Sequence, residues 1–250
     1  MDSPFDLRDQ VALVTGAGRG LGREIAIALA DAGATLALTG RSMEPLEALK
    51  STLTGGGARA ATFEWDLTDL QRAEAVFEEV RASLGPVSVL VNNAGVQVEA
   101  PARELELNQW TAVIETNLSG VFASCRAFLR QGLPGSIVNI ASIASAVGMR
   151  SHSAYTASKS GVAGLTRALA LEGASLGIRV NALAPGYFRT DMPEEALSDP
   201  ARRDSLLRRI PLGRVAEVSE IGPPVVFLAS RASSYMTGSI LYFDGGYTAQ

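Results

Sequence analysis

The sequence predicts an α/β fold built on a doubly wound, mostly parallel sheet of seven strands with helices on both faces. Three observations carry this. Short apolar, β-branched runs alternate with helical periodicity along the whole chain, as parallel strands and their crossover helices require. The first such run passes directly into a glycine-rich turn that opens a helix, the start of a βαβ unit. No linker-like composition, repeat or low-complexity tract divides the 250 residues, so one domain spanning 1–250 is expected.

Each element follows from the residues. Val11 to Thr15 is the first strand, and Leu21, Ile25 and Leu29 mark one side of the helix after it. Ala34 to Thr39 is the second strand, Met43 to Leu53 a helix ended by Thr54 to Gly57, and Ala58 to Glu64 the third strand. Asp69 to Leu84 is a helix with Ala73, Val76, Phe77 and Val80 on one face, followed by a strand from Val87 to Val91. A long helix is expected from Trp110 to Leu129, the fifth strand from Ser136 to Ala141, a helix from Ala154 to Leu176 and the sixth strand from Arg179 to Leu183. Pro185 to Arg209 is irregular apart from a short helix from Pro200, and residues 186–212 are expected to cover the substrate as a lid. Val218 to Ser230 is the last helix and Ser239 to Phe243 the last strand.

Composition narrows the function. A formal net charge of −4 and a pI near 5.2 argue against nucleic acid or an anionic membrane as the main partner. The one cysteine, Cys125, permits no internal disulfide, consistent with a reducing compartment, and one histidine rules out a His-rich zinc site. No apolar run reaches the roughly 20 residues of a membrane span, and no leader is visible at the N-terminus. A cytoplasmic protein with a small-molecule substrate is expected.

The chemistry concentrates between Asn139 and Lys159. A strand ends in Ser142, and a helix then carries Tyr155 and Lys159 four residues apart, on one face. An ammonium beside a phenol favours the phenolate, so the pair predicts a depressed Tyr155 pKa and proton transfer at neutral pH. The same spacing also fits a solvated helical pair. At the other end, Gly16, Gly20 and Gly22 follow a strand and open a helix, where free N–H groups and the dipole suit a pyrophosphate.

The Gly-x3-Gly-x-Gly spacing, Asn92-Asn93-Ala94-Gly95, Asn117, Ser142, Tyr155-x3-Lys159 and Pro185-Gly186 with Thr190 occur in one order along nearly the whole chain. Together they resemble the short-chain dehydrogenase/reductase family, whose domain is a Rossmann fold. The resemblance implies that Tyr155 exchanges a proton with the substrate oxygen, Ser142 orients that oxygen, and Lys159 binds the nicotinamide ribose and depresses the Tyr155 pKa. Asn117 would hold a relay water, although an Asn within the series Val113, Ile114, Leu118 and Val121 would also serve to kink or tie the helix. Gly16, Arg19, Gly20, Leu21 and Gly22, with Asn93, Ala94 and Gly95, would line the nucleotide. Asp66 and Leu67 would hold the adenine, Thr190 the carboxamide, and Pro185 and Gly186 the ring.

No acid ends the second strand, which reads Thr39-Gly40-Arg41. A carboxylate there would bind the ribose hydroxyls of NAD(H) and repel a 2′-phosphate. Arg19 and Arg41 could pair with that phosphate, so NADP(H) is expected, with NAD(H) the alternative; two solvent-facing arginines would read the same way.

The C-terminal half, with Pro185 to Met192, Ile210 to Arg214 and Phe243 to Ala249, is similar to the gluconate 5-dehydrogenase branch, which implies alcohol/ketone interconversion on a sugar acid such as gluconate. That branch usually carries a basic residue where this chain has Val98-Glu99, and a glutamate repels a carboxylate. Arg150 or Arg189 could substitute or could be rim residues. His152 is read as a loop residue beside the cleft. Alternatives are a 3-oxoacyl thioester reductase and a catalytically silent nucleotide-binding protein. The family implies a homotetramer, with a dimer the alternative, and Ala163, Gly164 and Ala170 are expected to let the Tyr155 helix pack closely against a partner. The connection at Arg130 to Gly135 is read as a trimmed surface loop.

Overall fold

The structure, a computed structural model, describes residues 3–189 and 200–250. Its strands are β1 (Val11–Thr15), β2 (Thr35–Gly40), β3 (Ala60–Glu64), β4 (Val89–Asn92), β5 (Gly135–Ile140), β6 (Ile178–Pro185) and β7 (Ile240–Phe243). They form one sheet in the order β3-β2-β1-β4-β5-β6-β7. Every neighbouring pair is parallel. The order reverses between β1 and β4, so the loops leaving these strands diverge at their carboxyl ends and leave a crevice there.

Helices α1 (Gly20–Asp31), α2 (Met43–Gly55) and α8 (Gly222–Ala229) cover one face. Helices α3 (Arg72–Leu84), α5 (Gly120–Arg130) and α6 (Ser153–Ala174) cover the other, and α4 (Leu107–Ile114) and α7 (Pro200–Leu207) complete the set among the described residues. Strand side chains alternate between two cores. Leu13, Leu90, Ile137 and Val180 face α3, α5 and α6, while Val14, Leu38, Val91 and Ile140 face α1, α2 and α8. Each such fully buried side chain contributes roughly 1.5–3 kcal/mol.

Two expected helices are broken. In place of one helix from Trp110 to Leu129, α4 and α5 are joined by a π-helical turn, Glu115–Ser119, with Asn117 inside it. The Asn117 amide bonds both backbone groups of Val96, and these bonds sit at the widened turn. The helix expected from Val218 to Ser230 is a 3-10 turn, Val218–Ile221, followed by α8. Pro223 and Pro224 lie at the start of α8, where a missing N–H costs no helical bond. The short connection after α5 is closed by Gln131, whose amide accepts from Val87 N and donates to Val87 O, both at 3.1 Å.

A polar ladder crosses the α5/α6 core. Ser124 Oγ donates to Asn92 Oδ1 at 2.6 Å, Asn92 Nδ2 to Asn139 Oδ1 at 2.9 Å, and Asn139 Nδ2 to Thr166 Oγ1 at 2.9 Å. Cys125 joins it through Asn92 Nδ2, and burial pushes its thiol up to about 12, so it packs as an inert group. Ser124, Asn139 and Thr166 are wholly buried, so each lost partner strands a polar group. Asn139→Leu is therefore expected to lower unfolding stability by about 2–4 kcal/mol. Denaturant unfolding checks this, and a loss below about 0.5 kcal/mol would show that the ladder contributes no net stability.

Candidate active site

The parallel sheet brings the carboxyl ends of β1, β4, β5 and β6 side by side. The turn after β1 is fastened to the turn after β4 by Thr15, whose Oγ1 accepts from Asn93 N at 3.0 Å and Ala94 N at 3.1 Å. Asn93 Nδ2 returns bonds to Thr15 O and Gly16 O. Gly16 has φ +65°, and a Cβ there would stand 2.9 Å from Ala94 Cα. A Cβ on Gly22 would reach 2.1 Å from Gly16 O, so the tight turn into α1 needs glycine. Gly20 faces open space at the helix start, between exposed Arg19 and half-buried Leu21.

Asp66 and Leu67 follow β3. The Asp66 carboxylate accepts from Thr68 N at 3.0 Å and Thr68 Oγ1 at 2.8 Å, which hold it below the usual carboxylate range with help from the charge of Arg41. Leu67 is buried against Gly120. Arg41 is exposed. Gly40 has free space on its Cβ side, with Leu46 Cδ1 and Cδ2 at 3.7 Å.

The reacting groups meet where β5 ends. Ser142 caps a 3-10 turn, Ile143–Ser145, by accepting from Ala144 N at 3.1 Å, and its hydroxyl is near enough to the Tyr155 phenol to favour the phenolate. Lys159 lies one turn along α6, 4% exposed, with Nζ donating to Ile140 O at 2.7 Å and standing 5.7 Å from the Tyr155 ring centroid. Gly95 lies beside Asn117 Oδ1 and Lys159 Nζ, since a Cβ on it would stand 3.3 and 3.7 Å from them. Asn117 Nδ2 donates to Val96 O at 2.8 Å and Ser158 Oγ at 3.2 Å, and Ser158 donates to Tyr155 O at 2.7 Å. Asn117 thus ties the π turn, the loop after β4 and α6 together.

The electrostatics correct the expected phenol shift. Burial raises the Tyr155 pKa, and the Ser142 hydroxyl only partly opposes it. Burial also lowers the Lys159 pKa, to about 8. Burial and the Ser142 hydroxyl are the causes of the Tyr155 shift, so desolvation outweighs the pairing that the spacing implied.

At the β6 end, Gly186 N donates to Phe243 O at 3.0 Å, and a Cβ on Gly186 would stand 2.7 Å from Asp244 Cα. Glycine at this position is required by close passage of the Asp244 backbone. Pro185 is buried at the strand end. Thr190 and residues 191–199 of the expected lid lie outside the described residues; of the rest, α7 and a bridge between Phe188 and Ala216 are present.

On the rim, Ala100 N donates to Ser151 O at 2.9 Å, which seats exposed Glu99 beside the loop into α6. Arg189 pairs with Glu217 at 3.3 Å and is a rim ion pair, while Arg150 is exposed. His152 sits at the start of α6 with Nδ1 2.8 Å from Arg150 O. The fastening roles of Thr15 and Ser158 were not visible in the sequence; a threonine at a strand end before a glycine turn was the available signal for the first.

A family model described as enoyl-(acyl carrier protein) reductase matches residues 16–248. The gluconate 5-dehydrogenase of Gluconobacter oxydans is 40% identical over 250 residues, 98% of this chain and 96% of that protein. The 3-oxoacyl-(acyl-carrier-protein) reductase of Escherichia coli is 40% identical over 245 residues, 97% of this chain and 98% of its own length. The solved gluconate 5-dehydrogenase of Burkholderia cenocepacia, in complex with NADP and tartrate, has a TM-score of 0.95 at 36% identity, covering 99% of this chain and 98% of that one. With a glycine-lined turn at one end of the crevice and a Ser–Tyr–Lys cluster at the other, the chain belongs to the short-chain dehydrogenase/reductase family of oxidoreductases acting on CH–OH groups.

Proposed function

We propose that the protein is an NADP(H)-dependent oxidoreductase that interconverts a secondary alcohol and a ketone on a small polar substrate of the sugar-acid or polyol type. The observation that carries this is the closeness of the Ser142 and Tyr155 hydroxyls beside the buried Lys159, at the crevice where β4 and β5 end. NADP in the Burkholderia gluconate 5-dehydrogenase supports the coenzyme.

The residues fit a dinucleotide. Gly16, Gly20 and Gly22 form a cradle that side chains would fill, Asn93, Ala94 and Gly95 form its far wall, and Asp66 and Leu67 lie where an adenine edge would be held. Arg19 and Arg41 are exposed cations without an acid on β2 to oppose a 2′-phosphate. When bound, the coenzyme supplies or accepts the hydride. The chain handles the proton. Ser142 donates to the substrate oxygen and fixes it against Tyr155, which gives up its proton during reduction and takes one during oxidation. Since burial alone holds the phenol protonated, we assign the acidifying field to a fully charged Lys159 acting with the cationic ring of the oxidised coenzyme. Asn117, bonded to Val96 and Ser158, positions α6 and would present its remaining capacity to a relay water.

The Escherichia coli relative, at 40% identity, supports a second reading as a 3-oxoacyl thioester reductase; the net charge of −4 suits an acidic carrier poorly. We also propose a cytoplasmic homotetramer. Leu107 (81% exposed) on α4, Phe122 on α5 and Leu171 (82% exposed) on α6 leave apolar surface on neighbouring helices. Ala163 and Ala170 do not take part, because both are buried in their own chain, and Gly164 alone of the three is exposed.

Tyr155→Phe is expected to lower kcat by about 10²–10⁴-fold with NADPH binding within a factor of about two; retained turnover on a ketose and keto-acid panel would refute the acid/base role. Gly40→Asp, for which the space exists, is expected to shift the NADP-to-NAD kcat/KM ratio at least about tenfold toward NAD, and an unchanged ratio would count against the ribose-pocket reading. Lys159→Met removes a buried charge while keeping the stem. Because the folded Lys159 titrates near 8, below its ordinary value, its destabilising effect is present at neutral pH and fades as pH rises past about 8. Thermal unfolding should therefore show Lys159→Met more stable by on the order of 1–2 kcal/mol at pH 7, shrinking toward pH 10, with turnover lost. A gain that grows with pH would contradict this sign.

A further inference from the structure

The substrate side of the crevice holds one arrangement without a role so far. Tyr187, directly after Gly186, and Tyr247, near the C-terminus, meet edge to face with ring centroids 5.6 Å apart. Both belong to the apolar cluster containing Ile143, the residue after Ser142, so this aromatic wall runs up to the reacting hydroxyl. The Arg209 guanidinium lies over the Tyr247 ring, 4.8 Å from its centroid.

Arg209 differs from the arginines near it. Arg189 pairs with Glu217 and Arg214 with Glu220, whereas no carboxylate pairs with Arg209 among the described residues. Its position is built. Gln250 Nε2 donates to Arg209 O at 2.8 Å, and Asp244 accepts from Gly246 N, Thr248 N and Thr248 Oγ1 at 2.6–2.9 Å, fixing the turn that presents Tyr247. Tyr187, pushed up to about 12 by burial, keeps its hydrogen at neutral pH. The loop after β4 carries Glu99, an exposed carboxylate tied beside the loop into α6. An anionic substrate end would be repelled by Glu99 and attracted by Arg209.

We propose that Arg209, seated on Tyr247, is a specificity-determining residue that takes the carboxylate of a sugar-acid substrate, with the Tyr187 and Tyr247 phenols beside it bonding the neighbouring hydroxyls. This rests on the oxidoreductase reading above. A guanidinium offers paired donors matched to a carboxylate, and its stacking on a buried ring limits the ordering cost of binding. The occupied class is therefore an aldonate or keto-aldonate, held with its acid end toward Arg209 and its reacting carbon at Ser142 and Tyr155.

The test compares kcat/KM for aldonates of four to six carbons with that for the alditols of the same length, following NADPH absorbance. Native protein is expected to favour the acids, and Arg209→Gln to reduce the acid-to-alditol ratio roughly ten- to a hundredfold, chiefly through KM for the acid. Arg209→Lys, which keeps the charge but neither the paired donors nor the stacking, should restore only part of the preference, and circular dichroism of each variant reports its folding. A native preference for alditols, or a ratio unmoved in Arg209→Gln, would overturn the inference and leave the oxidoreductase reading standing. No turnover of any substrate in the panel or of 3-oxoacyl thioesters, in either direction, would overturn both.

Discussion

The structure depends on the buried amide ladder that joins β4, β5, α5 and α6. Parallel strands carry their chemistry at their carboxyl ends, but the sheet's own hydrogen bonds place only strands. The helix that bears Tyr155 and Lys159 must be registered against the ends of β4 and β5 by side chains. Asn139 does this by holding Asn92 on one side and Thr166 on the other, within a core otherwise filled by apolar side chains. Apolar packing has no strong preference among small slides along a helix, whereas an amide that loses its partner in a dry core costs a kilocalorie or more. Lys159 and Asn117 then add fixed points, one on the Ile140 carbonyl and one on Val96.

The second controlling effect is desolvation. Lys159 is buried and Tyr155 is half-buried with its phenol largely desolvated, and in both the neutral form gains. Unliganded, this gives a protonated phenol beside an ammonium that titrates only slightly above neutral pH. On the proposed reading, an oxidised coenzyme would bring positive charge and ribose hydroxyls that satisfy the ammonium, so the field that favours the phenolate, the form that takes the alcohol's proton, would be completed by binding. The stability sacrificed in burying Lys159 is then recovered as coenzyme affinity and reactivity, the usual bargain at a functional site.

The sequence made the alternation of strands and helices readable because each strand is buried on both faces and each helix shows one apolar stripe. It was also enough to place Gly16, Ser142, Tyr155 and Lys159 in one crevice, since a parallel sheet puts every such turn on the same edge. Three things were not legible. The π turn at Glu115–Ser119 left the apolar series of its helix intact, because its cause is a contact with Val96, 21 residues away. The direction of the Tyr155 shift depends on burial depth, which spacing along a helix does not report. That Gly186 is also needed for the close passage of Asp244 depends on the β6–β7 pairing, which the order of residues along the chain does not report.

The substrate end shows the same division between local pattern and tertiary placement. Reading along the chain, Glu99 was the conspicuous charge, and it argued against an acidic substrate. In the fold Glu99 sits on the β4 loop, which is tied to the approach to α6 through Ala100 and Ser151. Arg209 follows α7 and is held by the last residues of the chain. A single repelling carboxylate selects orientation rather than identity, because a ligand with an acid at one end can turn that end away. On the proposed reading, Glu99 and the Tyr247-seated Arg209 would act in the same sense, both directing an anionic end toward Arg209 and leaving the carbinol carbon to the hydroxyls of Ser142 and Tyr155.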